Sequence, residues 1–185
     1  GDIETLWSDA LASSKGDIKP VHLAQEQGML IEHREQRVDA PQAAVFQAFS
    51  GLGGERGWPP YNWLWQIRGA IDRLFGGVGM RRGRRDPDEL RQGEALDFWR
   101  VELVEPDHLI RLRAEMKLPG EGWLQYEAND IEDGRTELVQ TAYFAPKGLS
   151  GLLYWYAVYP FHIAIFSRMI DAVAQQAIEP THTPQ

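Results

Sequence analysis

Leu109-Ile-Arg-Leu-Arg-Ala-Glu-Met-Lys-Leu118 sets the architecture of the chain. Ile110, Leu112, Ala114, Met116 and Leu118 alternate with Arg111, Arg113, Glu115 and Lys117. That period of two describes a strand with one face against a core and the other facing water. Upstream, Ala95 to Val104 also reads as a strand, followed by a turn at Glu105-Pro-Asp107. Downstream, Pro119-Gly120 turns the chain into a strand over Trp123 to Ala128. Asp133-Gly134 is a hairpin signal, and Thr136 to Phe144 is the strand after it, closed by Pro146-Lys-Gly148.

The flanks complete the pattern. Met29 to Val38 alternates imperfectly and is the first strand. Asp39-Ala-Pro41 starts a short helix, with Asp39 near the cap, Pro41 in the first turn and Val45, Phe46 and Phe49 as its stripe. Ser50-Gly51 stops it, and a glycine-rich loop follows. Trp63, Ile67, Ile71 and Leu74 carry helical spacing for a second short helix ending at Gly76-Gly77. The last element, Leu149 to Ala177, is a long helix expected to bend at Pro160. A run of antiparallel strands closed by one long helix is an α+β arrangement with that helix on one sheet face. Residues 1–28 read as an N-terminal arm or linker, 29–178 as the domain, and 179–185 as a flexible tail.

Composition narrows the function classes. The chain has 185 residues, of which 43% are hydrophobic and 25% charged, as in a globular protein. Seven Trp, seven Phe and six Tyr point to a bulky core or an aromatic-lined cavity. A net charge of −8 argues against a nucleic-acid partner, because phosphate contacts dominate that affinity. The absence of cysteine removes disulfides, thiolate nucleophiles and Cys-ligated metals, and suits a reducing, cytoplasmic location. Gly1 to Asp9 lacks the basic and apolar regions of a signal peptide. The lone Gly before Asp2 suits a tag remnant, so the chain is expected to be cut from something longer. Lys147 to Arg168 encloses a run without formal charge that approaches membrane-span length. Gly148, Ser150, Gly151, Pro160 and His162 interrupt it, so a buried helix is expected and no transmembrane span.

Several long motifs occur in order: Val38-Asp-Ala-Pro41, the Trp58–Trp65 segment, Gly76-Gly-Val-Gly-Met-Arg-Arg-Gly-Arg-Arg-Asp-Pro87 and Leu96-Asp-Phe-Trp-Arg-Val-Glu102. Ala114-Glu-Met-Lys-Leu-Pro119, Gln140-Thr-Ala-Tyr-Phe-Ala-Pro146, Leu153-Tyr-Trp-Tyr156 and Pro160-Phe-His162 continue the series. Over Met29 to Ala177 they resemble a bacterial family of unassigned function, often found C-terminal to a short-chain-dehydrogenase-like Rossmann domain. That family looks like part of the START, or polyketide-cyclase-like (SRPBCC), superfamily. The resemblance implies a helix-grip fold: a curved antiparallel sheet wrapped around a long C-terminal helix, with two short helices between the first and second strands. It also implies a cavity for lipids, polyketides or aromatics, and a Rossmann-type NAD(P)-binding domain as a possible partner. It supplies no catalytic residues. Gly51-Leu-Gly53-Gly54 and Gly76-Gly-Val-Gly79 are not the dinucleotide fingerprint, so no cofactor is assigned to this chain.

Candidate pocket residues are Trp58, Tyr61, Trp63, Trp65, Trp99, Met116, Trp123, Tyr126, Tyr154, Trp155 and His162, with ordinary core packing as the competing reading. Arg81, Arg82, Arg84 and Arg85 can clamp an anion or dock an acidic partner, unless Asp86, Asp88 and Glu89 neutralise them. Asp97, Arg100, Glu115, Lys117, Gln125 and Glu127 lie on adjacent strands, either as acid and base groups in a cavity or as a solvated ladder. Strand alternation favours the ladder. His162 is expected to be a hydrogen-bonded core histidine rather than an acid or base. His22, His33, His108 and His182 show no ligand spacing, so no metal site is expected. Three functions stand: a hydrophobic small-molecule binding domain, a cyclase or dehydratase using polar pocket groups, and a protein- or membrane-interaction domain using the arginine loop and Leu149–Phe166.

Overall fold

A computed structural model describes residues 22–26 (backbone only), 28–53, 57–58, 66, 70, 73–74, 76 and 90–179. Its strands are β1 (His22–Glu26), β2 (Met29–Val38), β3 (Ala95–Leu96), β4 (Trp99–Glu105), β5 (Leu109–Ala114), β6 (Gly120–Ile131) and β7 (Arg135–Pro146). Helix α1 spans Gln42–Ser50 and α2 spans Gly148–Ile178. All strands pair antiparallel in one curved sheet of order β1-β2-β7-β6-β5-β4-β3. Every pairing joins sequence neighbours except β2 with β7, which ties the N-terminal hairpin to the last strand. The chain is thus α+β, with a long C-terminal helix laid across the sheet.

Register decides which side chains meet that helix. Leu30 pairs with Phe144, Glu32 with Ala142, Arg34 with Gln140 and Gln36 with Leu138, so these share one face. Tyr126 stands opposite Gln140, and Ile110 opposite Tyr126, which carries the same face across β6 and β5. The other parity holds Arg111, Gln125, Thr141 and His33 in a row. Hydrogen bonds from Arg111 Nε to Gln125 Oε1 (2.7 Å) and between His33 Nδ1 and Thr141 Oγ1 (3.0 Å) link this row, which contains only Gln125 of the six residues expected to form a ladder.

The principal core fills the space between sheet and helices. Leu112, Leu124, Tyr126 and Leu138 from the strands meet Val45, Phe49, Phe166, Met169, Ile170 and Val173 from the helices. Val45, Ala48 and Phe49 are the buried stripe of α1, spaced as one helical face requires. A smaller cluster of Leu30, Phe144 and Trp155 sits under the first half of α2. That helix can approach so closely because residue 151 is Gly: a Cβ there would lie 2.4 Å from Pro119 O and 2.8 Å from Pro146 Cα.

Several expectations need correction. The arm read over 1–28 contains strand β1, whose unalternating His-Leu-Ala-Gln-Glu sequence suits an edge strand with a single partner. Glu26 faces Met29 across a turn at Gly28, whose φ is +81°. The single strand expected over Ala95–Val104 is broken at Asp97-Phe98, where Asp97 has φ +54°. Strand β5 ends at Ala114, not Leu118, although Met116 still packs against the core. Pro41 occupies the cap position of α1, and exposed Asp39 does not cap it. Most of the second short helix, and residues 180–185 of the tail, lie outside the described residues. By length and composition α2 could cross a membrane, and most of its apolar window is exposed. Its second half, with Phe166, Met169, Ile170, Val173, Ala174 and Ala177 buried, is committed to the core.

Candidate functional site

Polar residues interrupt the apolar face beneath α2. Glu32 is 0% exposed and Arg34 6%, and the Arg34 guanidinium donates to the Glu32 carboxylate. The two are two residues apart on β2, so the pleat puts both on the helix side. Arg34 reaches the helix as well: its Nε donates to Ser167 Oγ at 3.3 Å and its Nη2 to the Ile163 carbonyl at 3.5 Å. Beside it on β7, Gln140 (1% exposed) donates from Nε2 to the Tyr126 hydroxyl at 2.9 Å. Tyr126 stacks on Phe49, with ring centroids 5.4 Å apart.

From the helix side, Tyr159 and His162 close over this group. His162 packs edge-on to Trp155 (5.2 Å) and Phe166 (5.0 Å), bridging the two apolar clusters. Burial, helped by the charge of Arg34, pushes its pKa down to about 4, so the ring is neutral near pH 7. Burial raises Glu32 against the pull of Arg34. The Tyr159 hydroxyl is raised by burial and then by the Glu32 charge, and burial raises Tyr126 strongly. Each direction has the same cause, because a group taken out of water resists its charged form.

The group is not saturated. Among the described residues, Glu32 Oε2, Arg34 Nη1, Gln140 Oε1, Trp155 Nε1 and His162 Nδ1 are buried without a hydrogen-bond partner. Buried polar atoms are nearly always paired, and each unpaired one costs about 1–3 kcal/mol. These five lie together on one sheet face and the helix over it. Further along the sheet, Trp99 Nε1 is also buried and unpaired.

The sequence-derived candidates divide accordingly. Tyr126, Trp155 and His162 belong to this site, and Tyr154 packs beside it against Phe144 at 6.0 Å. Trp58, Trp99 and Met116 join the principal core at the β3–β4 end. There Trp58 Nε1 donates to Asp97 Oδ2 at 2.8 Å, so Asp97 is a core residue rather than a rung of the ladder. Trp123 is carried to the opposite face, where its register partners are Arg113 and Tyr143. Arg100 and Glu115 form a paired fork at 2.9 and 3.2 Å, as a ladder requires. His162 makes no hydrogen bond through buried Nδ1, contrary to the hydrogen-bonded core histidine expected. Tyr61, Trp63, Trp65, Arg81, Arg82, Arg84 and Arg85 lie outside the described residues.

Glu32, Arg34, Gln140, Tyr159 and Ser167 were missed. Their signal was polar residues at inward parity: Leu30, Glu32, Arg34, Gln36 and Val38 alternate with outward positions, and the face begins and ends apolar. Among the described residues no group of three His, Asp or Glu could hold a metal ion.

Norcoclaurine synthase from Thalictrum flavum, in truncated form, superposes with a TM-score of 0.52 at 14% identity, covering 89% of this chain and 100% of that one. A point mutant of that synthase in complex with a transition-state analogue gives 0.50 at 12% identity, covering 86% and 98%. The Zhui aromatase/cyclase from Streptomyces sp. R1128 gives 0.45 at 14% identity, covering 84% and 99%. At such identities the likeness to the synthase is one of fold alone, the helix-grip arrangement. No protein of curated function matches the sequence. Residues 26–169, which run from the end of β1 through the site residues to the second half of α2, match the model of proteins of unknown function DUF2867, and the chain belongs to that family.

Proposed function

We propose that this chain is a hydrophobic small-molecule binding domain that holds its ligand between the sheet and α2. The observation that carries this reading is the set of five buried, unpaired polar atoms within an otherwise apolar face. Concave sites that bind small molecules are mostly apolar with a few convergent polar groups. The fold shared with norcoclaurine synthase supports the same reading. Turnover would require an acid or base at the ligand, and Glu32, raised by burial, is the residue that would serve in a cyclase- or dehydratase-type enzyme. The resemblance to domains that follow Rossmann modules supports an accessory role in a cytoplasmic NAD(P)-dependent oxidoreductase, with the isolated chain binding no nicotinamide itself.

Native mass spectrometry of the protein as purified, compared with its denatured mass, tests the ligand reading. An adduct that disappears on denaturation is the expected result. A clean apo mass, with no uptake from a fatty-acid and aromatic panel, overturns it.

A second reading has its own observation. Leu149, Leu153, Tyr156 and Phe161 are exposed along the first half of α2, with Leu153 at 63% and Phe161 at 66%. Exposed apolar surface of this kind supports docking to a protein or a membrane. The arginine loop that would accompany it lies outside the described residues.

A further inference from the structure

We infer that the ligand enters with a neutral head group that both accepts and donates hydrogen bonds, as a carboxamide, a hydroxy-carbonyl or an undissociated acid does. The inference rests on the binding reading above and specifies its chemistry. Besides His162 Nδ1, which donates or accepts according to tautomer, the unpaired atoms are of two kinds. Arg34 Nη1 and Trp155 Nε1 can only donate, whereas Glu32 Oε2 and Gln140 Oε1 accept. A head group that only accepts would leave the carboxylate and the amide oxygen unmatched, and one that only donates would leave the guanidinium and the indole.

Charge limits the choice further. Glu32 and Arg34 already neutralise each other in a place closed to water. An anionic head drawn to Arg34 would add an uncompensated charge beside the Glu32 carboxylate, and a cationic one would do so beside Arg34. Both are costly in a buried site. Selectivity comes from the same source, because a ligand that leaves built-in polar groups unmatched is rejected strongly.

The remaining surroundings are apolar. Leu30, Phe144 and Trp155 belong to one apolar cluster, and Tyr126, Leu138 and Phe166 to the other. Phe144 and Trp155 stack at 5.4 Å with an interplanar angle of 11°, offering an aromatic wall next to the donors and acceptors. The body of the ligand is therefore a flat or flexible hydrocarbon, and its head is small.

A matched naphthalene series tests this by calorimetry on the whole chain. Naphthamide presents an acceptor and a donor, acetonaphthone is nearly its isostere with an acceptor alone, naphthalene sulfonate is an anion, and naphthalene has no head. Naphthamide is expected to bind about tenfold or more tightly than acetonaphthone, and the sulfonate more weakly than either. The double variant Glu32→Leu with Arg34→Met removes both charges together, which spares the fold an unpaired ion. It is expected to keep binding naphthalene and to lose the preference for the amide. Equal affinity for amide and ketone in the wild-type protein, or tightest binding of the sulfonate, overturns the head-group inference and leaves the binding reading intact. Failure of all four compounds, together with a clean apo mass, overturns the binding reading itself.

Discussion

At the scale of single residues, the Glu32–Arg34 pair is the most demanding feature of the chain. Both side chains are out of water, and each is acceptable there only because of the other. Arg34→Met alone is expected to cost about 3–5 kcal/mol, because it strands a buried carboxylate. The double change with Glu32→Leu is expected to recover most of that loss. Urea denaturation of the single and double variants checks both, and equal losses would show that the pair is not coupled. His162 makes a prediction about pH. Its folded pKa of about 4 lies below the ordinary 6.5, so between those values the unfolded chain binds the proton and the folded one does not. Stability is therefore full above pH 6.5 and falls as pH drops toward 4, by about 1.4 kcal/mol per pH unit. The raised Glu32 acts in the opposite sense, losing stability as pH rises through its folded pKa, so the difference between two proteins is the cleaner quantity. His162→Phe removes the titration and keeps a ring between Trp155 and Phe166. Melting curves from pH 4 to 7 should be flatter for the variant on the acid side, and parallel curves would contradict the assignment.

At the scale of elements, α2 matters most, because its position sets the depth of everything beneath it. Gly151 lets its first turn lie against the backbone of Pro119 and Pro146. In an open helix an alanine would be favoured over glycine by about 1 kcal/mol. Here the added methyl meets backbone that cannot swing aside, so Gly151→Ala is expected to destabilise by about 1–3 kcal/mol. A lower urea midpoint checks this. A higher midpoint would mean the helix has room to shift. The strands show how far local pattern reaches. The strand expected over Leu109 to Leu118 forms over Leu109 to Ala114, and the faces of Ile110 to Ala114 were assigned correctly. His22 to Glu26 was not legible as a strand, since an edge strand with polar residues carries no periodic mark and gains its structure from pairing with β2. The break at Asp97 was hidden for a related reason. The hydrophobic run continues through it, and only the left-handed backbone at that residue turns the chain.

At the scale of the whole molecule, α2 has two unlike halves. Its C-terminal half is part of the core, whereas its N-terminal half buries Trp155 and leaves Leu149, Leu153, Tyr156 and Phe161 outward. If that stripe docks on lipid, the wild-type protein floats with phosphatidylcholine vesicles in a density gradient and the Leu153→Glu, Phe161→Glu variant does not. The variant should keep its urea midpoint within about 0.5 kcal/mol per site, as exposed substitutions do. Wild-type protein that stays at the bottom of the gradient removes lipid as the partner of the stripe.

Apart from β1 and the break between β3 and β4, the order of elements, the antiparallel hairpins and the single closing helix could be read from residue patterns, because alternation, turn residues and helical spacing are local properties of the chain. Of the candidate site, Tyr126, Trp155 and His162 were named from the sequence and the rest were not. Glu32 and Arg34 come from β2, Gln140 from β7, Tyr126 from β6, and Tyr159, His162 and Ser167 from α2. The parity of Glu32 and Arg34 with Leu30 and Val38 is a local hint, but on a mixed strand it does not by itself separate a buried Glu from one that faces water. That distinction came from register: pairing Arg34 with Gln140, and Gln140 with Tyr126, put these side chains on one face. A shift of one residue would send them all to the other side. The same dependence separated Trp123 from the pocket candidates, since its aromatic character was plain in the sequence and its face was set by long-range pairing.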